Sequence, residues 1–297
     1  MFKKTVLATL CTTAMLNVAL LACASDAQSS ASELGVVTAT SVVDGLNHPW
    51  ALAFLPNKQG ILVTERVGNL RVVSPEGKLS APLSGVPQVW NKGQGGLLDV
   101  VLSQDFYQDR LVYVSYAEGD GEDDKAATAV GRGRLSADLT KLSDFEVIFR
   151  QQPKLSTGNH FGSRLVFDRE GYLFIALGEN NQRATAQDLD KLQGKVVRIF
   201  PDGSTPGDNP FVGGKGVKPE IWSFGHRNQQ GAALNPWTGT LWTHEHGPKG
   251  GDEINVIERG KNYGWPLATH GIDYSSQPIA EAKGKYVEGT EGPRYVW

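Results

Sequence analysis

The chain has 297 residues, with 29 basic and 32 acidic side chains and a formal net charge of −3 at pH 7. This balance argues against nucleic acid as a partner, because such binding depends on a dense cationic surface. The 35 glycines and 15 prolines predict many tight turns and few long helices.

The first residues have the order of an export signal. Lys3 and Lys4 precede an uncharged apolar run over residues 5–22, and small residues follow. This is the order of n-region, h-region and cleavage site. Two processing sites fit: cleavage before Cys23, which would then carry a lipid anchor, and ordinary cleavage after an Ala-x-Ala sequence. In both cases we expect residues 1–24 to be a leader and the mature chain to be exported, either to the periplasm or to the outer membrane.

The segment over residues 25–34 is rich in serine, which predicts a flexible tether. Both cysteines, Cys11 and Cys23, belong to the leader. The region that follows the tether, residues 35–297, therefore has no thiol for a disulfide, a zinc-thiolate site or a cysteine nucleophile. A region of this length can bury a large core without disulfides.

Four segments of this region share one pattern, in which a short apolar strand, a turn and an alternating strand follow one another. They span residues 51–66, 97–116, 163–179 and 231–247. Their turns carry Gly, Asp, Asn or Pro, the residues that turn geometry requires. Antiparallel strands repeated at intervals of about 45 to 70 residues predict an all-β chain built from β-propeller blades. A β-sandwich, the alternative architecture, would not explain the repeat.

The same pattern predicts where individual strands lie. The second strands of the four segments are expected at residues 61–65, 111–116, 173–177 and 240–243. Further strands are expected at residues 69–74, 147–149, 195–200 and 253–258. One short helix is expected, over residues 188–192.

His160 is the candidate general base. Histidine suits this role because its ordinary pKa lies close to neutral pH. His160 occurs in the sequence TGNHFGSR, directly before a predicted strand. Loops that enter the inner strands of a propeller face the central channel, where ligands bind. The sequence therefore predicts that His160 lies at a ligand site.

Two later segments carry polar groups suited to ligands. Arg227 and Asn228, in GHRNQQG, offer several hydrogen-bond donors to an anionic or carbonyl-bearing ligand. The segment HGPKGGDE places backbone carbonyls close to Asp252 and Glu253, and hard cations such as Ca²⁺ accept this mixture of oxygen ligands. Taken alone, Arg227 has the alternative of a buried structural arginine, and HGPKGGDE has the alternative of a solvated loop rich in turn residues.

Together, these segments resemble the PQQ-dependent soluble aldose sugar dehydrogenases, the glucose/sorbosone dehydrogenase family, where PQQ is pyrroloquinoline quinone. The resemblance runs from about Gly45 to Trp297 and includes KGQGGLLDV, NHFGSRL, GHRNQQG and HGPKGGDEINVIERGKNYGW in the family's order. It implies a six-bladed β-propeller of four-stranded antiparallel blades, of which this sequence contains strands for about four to five. It also implies oxidation of aldose sugars at C1 to lactones, with PQQ and Ca²⁺ as cofactors and an external electron acceptor.

The resemblance implies roles for individual residues near the quinone. His160 would take the C1 hydroxyl proton as hydride moves to PQQ. Gln94, in KGQGGLLDV, would contact substrate or quinone beside that base, and Arg227 and Asn228 would donate hydrogen bonds to the quinone oxygens. Asn159 stands where some members of the family have aspartate, so the base would be less strongly oriented.

The resemblance also implies two calcium sites. The carbonyl groups of Gly247 and Pro248 would bind the Ca²⁺ that also contacts PQQ. Glu253, the carbonyl group of Tyr263 and Asp273 would bind a separate structural calcium.

The sequence departs from the family in one respect. In the family, a lysine and a later Arg-x-Arg pair bind the PQQ carboxylates, and no positions here correspond to them. We therefore expect a truncated product that lacks its C-terminal blades and binds PQQ weakly. Two alternatives from other classes stay open: a non-catalytic propeller that binds carbohydrate or protein, and a calcium-dependent lactonase-like hydrolase, which requires side-chain oxygens converging on a metal.

Overall fold

The computed structural model describes residues 28–32, 35–121 and 124–297. The chain forms two compact units, one that ends at Val42 and one that spans Val43–Trp297. The predicted leader and its lipid attachment at Cys23 lie outside the described residues. Within the described ranges, no helix has the length and apolar character needed to cross a membrane.

The first unit contains an antiparallel hairpin of β1 (Gln28–Ser32) and β2 (Gly35–Ala39). Gln28 lies opposite Ala39, and Ser32 lies opposite Gly35. The hairpin overlaps the segment predicted as a tether, residues 25–34. Pairing here joins backbone groups, which serine supplies as well as any other residue, so the composition did not reveal it. The second unit begins at Val43, and the domain bounds predicted from the sequence, residues 35–297, stay a prediction.

The second unit contains four antiparallel sheets, each built from consecutive strands and each corresponding to one propeller blade. The first blade contains β3 (Pro49–Leu55), β4 (Gly60–Glu65) and β5 (Asn69–Val73). The second contains β6 (Leu97–Leu102), β7 (Leu111–Gly119), β8 (Ala126–Leu135) and β9 (Leu142–Arg150). The third contains β10 (Gly162–Phe167), β11 (Leu173–Leu177), β12 (Lys195–Ile199) and β13 (Ile221–Phe224). The fourth contains β14 (Gln229–Leu234), β15 (Leu241–Glu245), β16 (Glu253–Ile257) and β17 (Tyr295–Val296).

The first strands of successive blades contact one another, in the order β3, β6, β10 and β14. This is the arrangement of blades around a propeller axis. The prediction of an all-β propeller is therefore confirmed, and the described residues contain four blades, within the predicted four to five. All eight predicted strands are present, with ends that differ by a few residues.

Apolar side chains fill the space between successive blades. Leu173, Ile175 and Leu177 of β11 belong to the cluster shared with the second blade, whereas Phe174 belongs to the cluster shared with the fourth. Successive side chains of a strand point to opposite faces. A strand whose blade packs between two other blades is therefore apolar on both faces. Full burial of each such side chain contributes about 1.5–3 kcal/mol. This packing explains the uninterrupted apolar sequence of β11.

The predicted helix over residues 188–192 is wrong. A short 3-10 helix, Arg183–Gln187, precedes this segment, and Asp188 after it has an extended backbone. The side-chain ammonium of Lys191 contacts the carboxylates of Asp188 and Asp190 across a turn. Aspartate favours turns and caps over helix interiors, and five residues are too few to sustain a helix alone. The α-helix of the described residues is a single turn, α1 (Phe106–Asp109), between β6 and β7. Residues Pro56–Lys58 form a second short 3-10 helix.

Candidate functional site

The loops that enter β6, β10 and β14 meet at one end of the propeller. The backbone N–H of His160 donates to Oε1 of Gln94 at 2.8 Å. The backbone N–H of Gly162 donates to Oδ1 of Asn228 at 3.2 Å. Three residues that the sequence assigned to one ligand site, in separate blades, are therefore brought together.

Gly93 explains how two of these loops approach so closely. A Cβ atom at Gly93 would lie 2.3 Å from the carbonyl oxygen of Gly158, and its φ is +55°. The backbone N–H of Gln94 donates to the same carbonyl oxygen at 2.7 Å. The glycine at position 93 therefore allows this loop to pack closely against the loop that carries Gly158.

His160 forms a buried pair with Glu179. Nδ1 of His160 lies 2.6 Å from Oε2 of Glu179, and both side chains are almost fully buried. Nε2 of His160 makes no hydrogen bond within the described part of the chain. A carboxylate on one ring nitrogen fixes the orientation of the ring and leaves the other nitrogen for a ligand.

Glu179 was not among the residues predicted from the sequence. It follows the apolar strand β11 in the sequence LGE, and Oε2 also accepts the backbone N–H of Asn181 at 3.2 Å. Buried carboxylates require a partner, so an acidic residue directly after a fully apolar strand is a signal that could have identified it.

Arg227 and Asn228 retain unused hydrogen-bond donors. The side chain of Arg227 donates from Nη1 to the carbonyl oxygen of His246 at 3.1 Å, while its Nε is buried without a partner. Oδ1 of Asn228 accepts from Gly162 and from the side chain of Gln230, and its Nδ2 makes no hydrogen bond within the described residues. Both side chains can therefore donate to a ligand.

Glu245 is a second buried carboxylate that was not predicted from the sequence, and it holds this part of the site together. Its Oε2 accepts the backbone N–H of Arg227 at 2.7 Å, and its Oε1 accepts from Nδ2 of Asn255 at 3.0 Å. Oε1 also lies 3.2 Å from Nδ1 of His226, whose ring stacks on Tyr263 with centroids 4.6 Å apart. His226 is thus a structural histidine beneath the Arg227 loop.

Four of the five predicted metal ligands line one small cavity. This cavity has a volume of about 10 Å³, and its walls include Gly247, Pro248, Glu253 and Tyr263, together with Glu245. A volume of this order holds roughly one water molecule. The carbonyl oxygens of Gly247, Pro248 and Tyr263 accept no hydrogen bond within the described residues. They are therefore available to a hard cation of similar size.

Glu253 has an unusual protonation equilibrium in this cavity. Burial, and after it the nearby charge of Glu245, raise the pKa of Glu253 well above that of an ordinary glutamate. Nδ2 of Asn255 donates to Oε2 of Glu253 at 3.3 Å, which opposes the shift. Two carboxyl groups that share a buried site favour a bound cation, because the cation offsets their repulsion.

The fifth predicted ligand, Asp273, does not line this cavity. Its Oδ2 lies 2.5 Å from Nη2 of Arg183, and its Oδ1 accepts from the backbone and side chain of Ser275. These contacts, first the backbone N–H of Ser275 and then Arg183, lower its pKa to about 2. Asp252, which the sequence left unassigned, accepts the backbone N–H of Gly247 at 2.9 Å. Among the described residues, no group of three or more His, Cys, Asp and Glu side chains forms a metal cluster.

A larger cavity of 230 Å³ lies next to the loop that carries His160, although His160 itself is not in its wall. The residues that follow His160, Phe161 and Gly162, form part of its wall. Its polar wall residues are Arg66, Gln94, Asn228, Gln230 and His246. Trp50 supplies an aromatic surface, and one face of its ring is covered by the guanidinium of Arg164 at 4.3 Å. The cavity therefore combines an apolar wall with hydrogen-bond donors, as small-molecule sites do.

Comparison with known proteins gives one consistent family. The profile described as Glucose / Sorbosone dehydrogenase matches residues 46–297. Aldose sugar dehydrogenase YliI of Escherichia coli (strain K12) is 65% identical over 254 residues, which cover 86% of this chain and 68% of that protein.

Two solved structures of aldose sugar dehydrogenases are also similar. The apo form of the soluble enzyme from Escherichia coli is 65% identical, with a TM-score of 0.83 over 85% of this chain and 72% of that one. The PQQ-bound form of the enzyme from Streptomyces coelicolor is 32% identical, with a TM-score of 0.73 over 92% of this chain and 73% of that one.

Proposed function

Because the chain belongs to the glucose/sorbosone dehydrogenase family, we propose that it oxidises an aldose sugar at C1 to the lactone, with PQQ and Ca²⁺ as cofactors. The similar enzyme from Streptomyces coelicolor has been solved in a PQQ-bound form, which supports the choice of cofactor. The observation that carries the proposal is the buried pair of His160 and Glu179 beside the unused donors of Arg227 and Asn228.

The side chains present fit a bound quinone. Nε of Arg227 is buried without a partner, and leaving such a donor unpaired costs about 1–3 kcal/mol. Nδ2 of Asn228 is likewise free within the described residues. Quinone oxygens accept hydrogen bonds, so a PQQ molecule beside these donors would satisfy them. When bound, PQQ supplies the acceptor for the two electrons that leave the sugar.

His160 handles the proton in this proposal. Oxidation at C1 removes the hydroxyl proton together with a hydride. Nδ1 of His160 is held by Glu179, so Nε2 accepts the proton from the hydroxyl group. The Glu179 carboxylate then stabilises the imidazolium that forms, as the buried carboxylate of a catalytic triad does. Gln94 positions the base through its hydrogen bond to the backbone of His160.

The small cavity offers oxygen ligands suited to Ca²⁺, and Arg227 also forms part of its wall. The carbonyl oxygens of Gly247 and Pro248 are free to bind it, and Glu253 adds a carboxylate from the same wall. A divalent cation here would act as a Lewis acid near the quinone. Tyr263 would contribute its carbonyl oxygen, whereas Asp273 would have to leave Arg183 to take part. We therefore assign one calcium to the cavity and treat Asp273 as a weaker candidate ligand.

We further propose that the complete ring has six blades and that the enzyme works outside the cytoplasm. The export signal predicted for residues 1–24 supports this location, with Cys23 as a candidate lipid anchor. An external electron acceptor would then reoxidise the cofactor. Among the described residues, the convergent side-chain metal site that a lactonase-like hydrolase requires is not seen.

A titration tests this function. PQQ is added to the chain in the presence of Ca²⁺ while tryptophan fluorescence is followed, and turnover is then assayed with glucose and a dye acceptor. Because the unmodified chain is expected to bind PQQ weakly, PQQ is added until the fluorescence change saturates. Arg227→Ala should weaken PQQ binding and turnover together. His160→Gln should preserve PQQ binding and lower turnover by a factor of about 10² to 10⁴, while His244→Gln, an exposed histidine on β15, should change neither.

Two results would contradict the proposal. Unchanged turnover in His160→Gln would show that His160 is not the general base. Sugar binding by the unmodified chain without any PQQ binding would favour the non-catalytic propeller that binds carbohydrate.

A further inference from the structure

The side chain of Asn180 binds the loop that carries His160. Its Nδ2 donates to the carbonyl oxygen of Asn159 at 3.3 Å and to that of His160 at 3.1 Å. The backbone N–H of Asn180 donates to the same carbonyl oxygen of His160 at 3.2 Å. Carbonyl oxygens only accept, so the amide must present its nitrogen to them. Asn180 therefore holds two successive peptide groups of this loop.

These contacts keep His160 in a backbone conformation that histidine seldom adopts. Its φ is +55°, and a side chain in this left-handed region persists only where the surroundings fix it. The N–H of His160 is bound by the side chain of Gln94. Its carbonyl group lies against Gly178, where an added Cβ atom would collide with it. Asn180 supplies the donors to this carbonyl group, so the backbone of His160 is held on both sides.

The same conformation determines where the imidazole ring lies. Nδ1 of His160 lies 2.6 Å from Oε2 of Glu179. The backbone dihedral angles set the direction of the Cβ atom, so a change at His160 would move the ring away from this carboxylate. Because Glu179 and Asn180 are adjacent in sequence, one dipeptide holds both the ring and the backbone of the proposed base.

Stability alone does not account for an asparagine at position 180. The side chain is fully buried, and its Oδ1 makes no hydrogen bond within the described residues. A buried acceptor without a partner lowers the free energy of unfolding. Asn180 also has a φ of +55°, which asparagine tolerates better than most residues. The position thus keeps an unpaired acceptor while its donor binds the loop of His160.

From these contacts we propose that Asn180 is a positioning residue for the oxidation. Its amide fixes the backbone of His160, which places Nδ1 against Glu179 and leaves Nε2 directed at the hydroxyl group of the sugar. This inference rests on the proposed function and adds a residue to it. Asn180 acts through His160 and does not touch the reacting atoms. Such support matters because a catalytic group must be held close to its productive geometry.

NMR of the cofactor-free chain, labelled with ¹⁵N in its histidines, tests the positioning directly. The short contact with Glu179 predicts a proton on Nδ1 of His160 that resonates at unusually low field. Its absence in His160→Gln would assign it. Asn180→Gly should lose this resonance, because glycine keeps the left-handed backbone and its N–H but removes the amide. Asn180→Asp should lose it as well, since an ionised carboxylate cannot donate to the two carbonyl groups.

Asn57→Gly is the matched control for these variants. Asn57 is exposed and has the same φ of +55°, so its replacement tests the general effect of a new glycine. It should retain the low-field resonance. Circular dichroism checks that each variant is folded, and Asn180→Asp, which keeps the size of the side chain, provides a second test if Asn180→Gly does not fold. An unchanged resonance in either folded variant of Asn180 would overturn the proposal.

Turnover measures the consequence for the reaction. With PQQ, Ca²⁺, glucose and a dye acceptor, Asn180→Gly should lower kcat by a factor of about 10 to 100, the usual effect of losing an outer partner. PQQ affinity and KM should change little. In a His160→Gln background the same substitution should cause no further loss, because residues that act as a unit are not additive. An equal loss in both backgrounds would indicate a general structural role and overturn the proposal.

The two proposals fail in different ways. The NMR experiment contains no PQQ, so the dependence of the His160 resonance on Asn180 can be observed even where the chain does not oxidise sugar. Unchanged turnover in His160→Gln would contradict the proposed function. Loss of the resonance with unchanged turnover in Asn180→Gly would reject the positioning role and leave the proposed function intact.

Discussion

Nδ1 of His160 and Oε2 of Glu179 lie 2.6 Å apart, across 19 positions of sequence and in the same blade. His160 belongs to the loop before the first strand of that blade, and Glu179 follows its second strand. The antiparallel pairing of β10 with β11 brings these two ends together, with Gly162 opposite Leu177. The geometry of the candidate base is therefore fixed by the register of a single strand pair.

Glu179→Gln should lower turnover without weakening cofactor binding. The substitution keeps a hydrogen-bond partner for His160 but removes the negative charge that stabilises an imidazolium. Loss of such an outer partner typically costs a factor of about 10 to 100 in activity. Turnover with a dye acceptor and PQQ affinity by fluorescence would be measured side by side, with Glu179→Asp expected to recover part of the rate. Equal losses in affinity and turnover would point to a general structural role instead.

Calcium should stabilise the chain through Glu253 and not through Asp273. A ligand that binds only the native state at about 100 times its dissociation constant adds about 2.7 kcal/mol to the free energy of unfolding. Glu253 lines the small cavity, whereas Asp273 is held by Arg183 outside its wall. The melting temperature should therefore be higher with Ca²⁺ than with chelator, both in the unmodified protein and in Asp273→Asn. In Glu253→Gln, most of this increase should be lost.

The opposite result would be informative. A calcium response that disappears in Asp273→Asn and persists in Glu253→Gln would place the ion near Arg183.

Gly93→Ala should destabilise the protein and disturb the entry loops. The added Cβ would lie 2.3 Å from the carbonyl oxygen of Gly158, at a backbone φ of +55°. Overpacking and left-handed strain of this kind cost about 1–3 kcal/mol. Gly207→Ala is the matched control, because nothing lies within 4 Å of its Cβ position and its φ is unstrained. Urea unfolding of both variants measures the difference, and equal stabilities would show that the two loops separate easily.

The sequence predicted the parts of this protein that depend on local pattern. Strand alternation and turn residues are local, and they located the blades as well as the entry loops that carry Gln94, His160 and Asn228. Glu179 and Glu245 were missed because their importance comes from burial and from partners 18 or 19 residues away. Glu179 has one local signal, its place two residues after the fully apolar strand β11, whereas nothing in the immediate sequence of Glu245 distinguishes it from an exposed acidic residue.

Asp273 illustrates the same limit on the calcium sites. Its partner Arg183 lies 90 residues earlier in the chain, so no local pattern could indicate that an arginine already holds this carboxylate. The helix predicted over residues 188–192 failed for a local reason. Its two aspartates favour a turn over a helix interior, and their contacts with Lys191 stabilise that turn.

Lys195 gives a prediction about pH. Its side chain is fully buried at the start of β12, and Nζ donates to the carbonyl oxygens of Thr185, Ala186 and Gln193 at 2.9, 3.0 and 2.6 Å. Burial lowers its pKa from 10.5 to about 7, while the nearby charge of Asp188 opposes the shift. Between pH 7 and 10, the unfolded lysine therefore keeps a proton that the native lysine has lost.

Because unfolding takes up a proton in this window, the contribution of Lys195 to stability rises with pH there and is constant below pH 7. The free energy of unfolding of the unmodified protein, minus that of Lys195→Met, should increase by about 1.4 kcal/mol per pH unit between pH 8 and 9. Urea unfolding at pH 6, 7, 8 and 9 measures this difference. Lys215→Met, at an exposed lysine, controls for the general effect of the substitution. The three carbonyl oxygens around Nζ match the three N–H groups of an ammonium. If the difference in the free energy of unfolding stays constant from pH 7 to 9, these carbonyl oxygens keep Lys195 protonated in the native state, which contradicts the prediction.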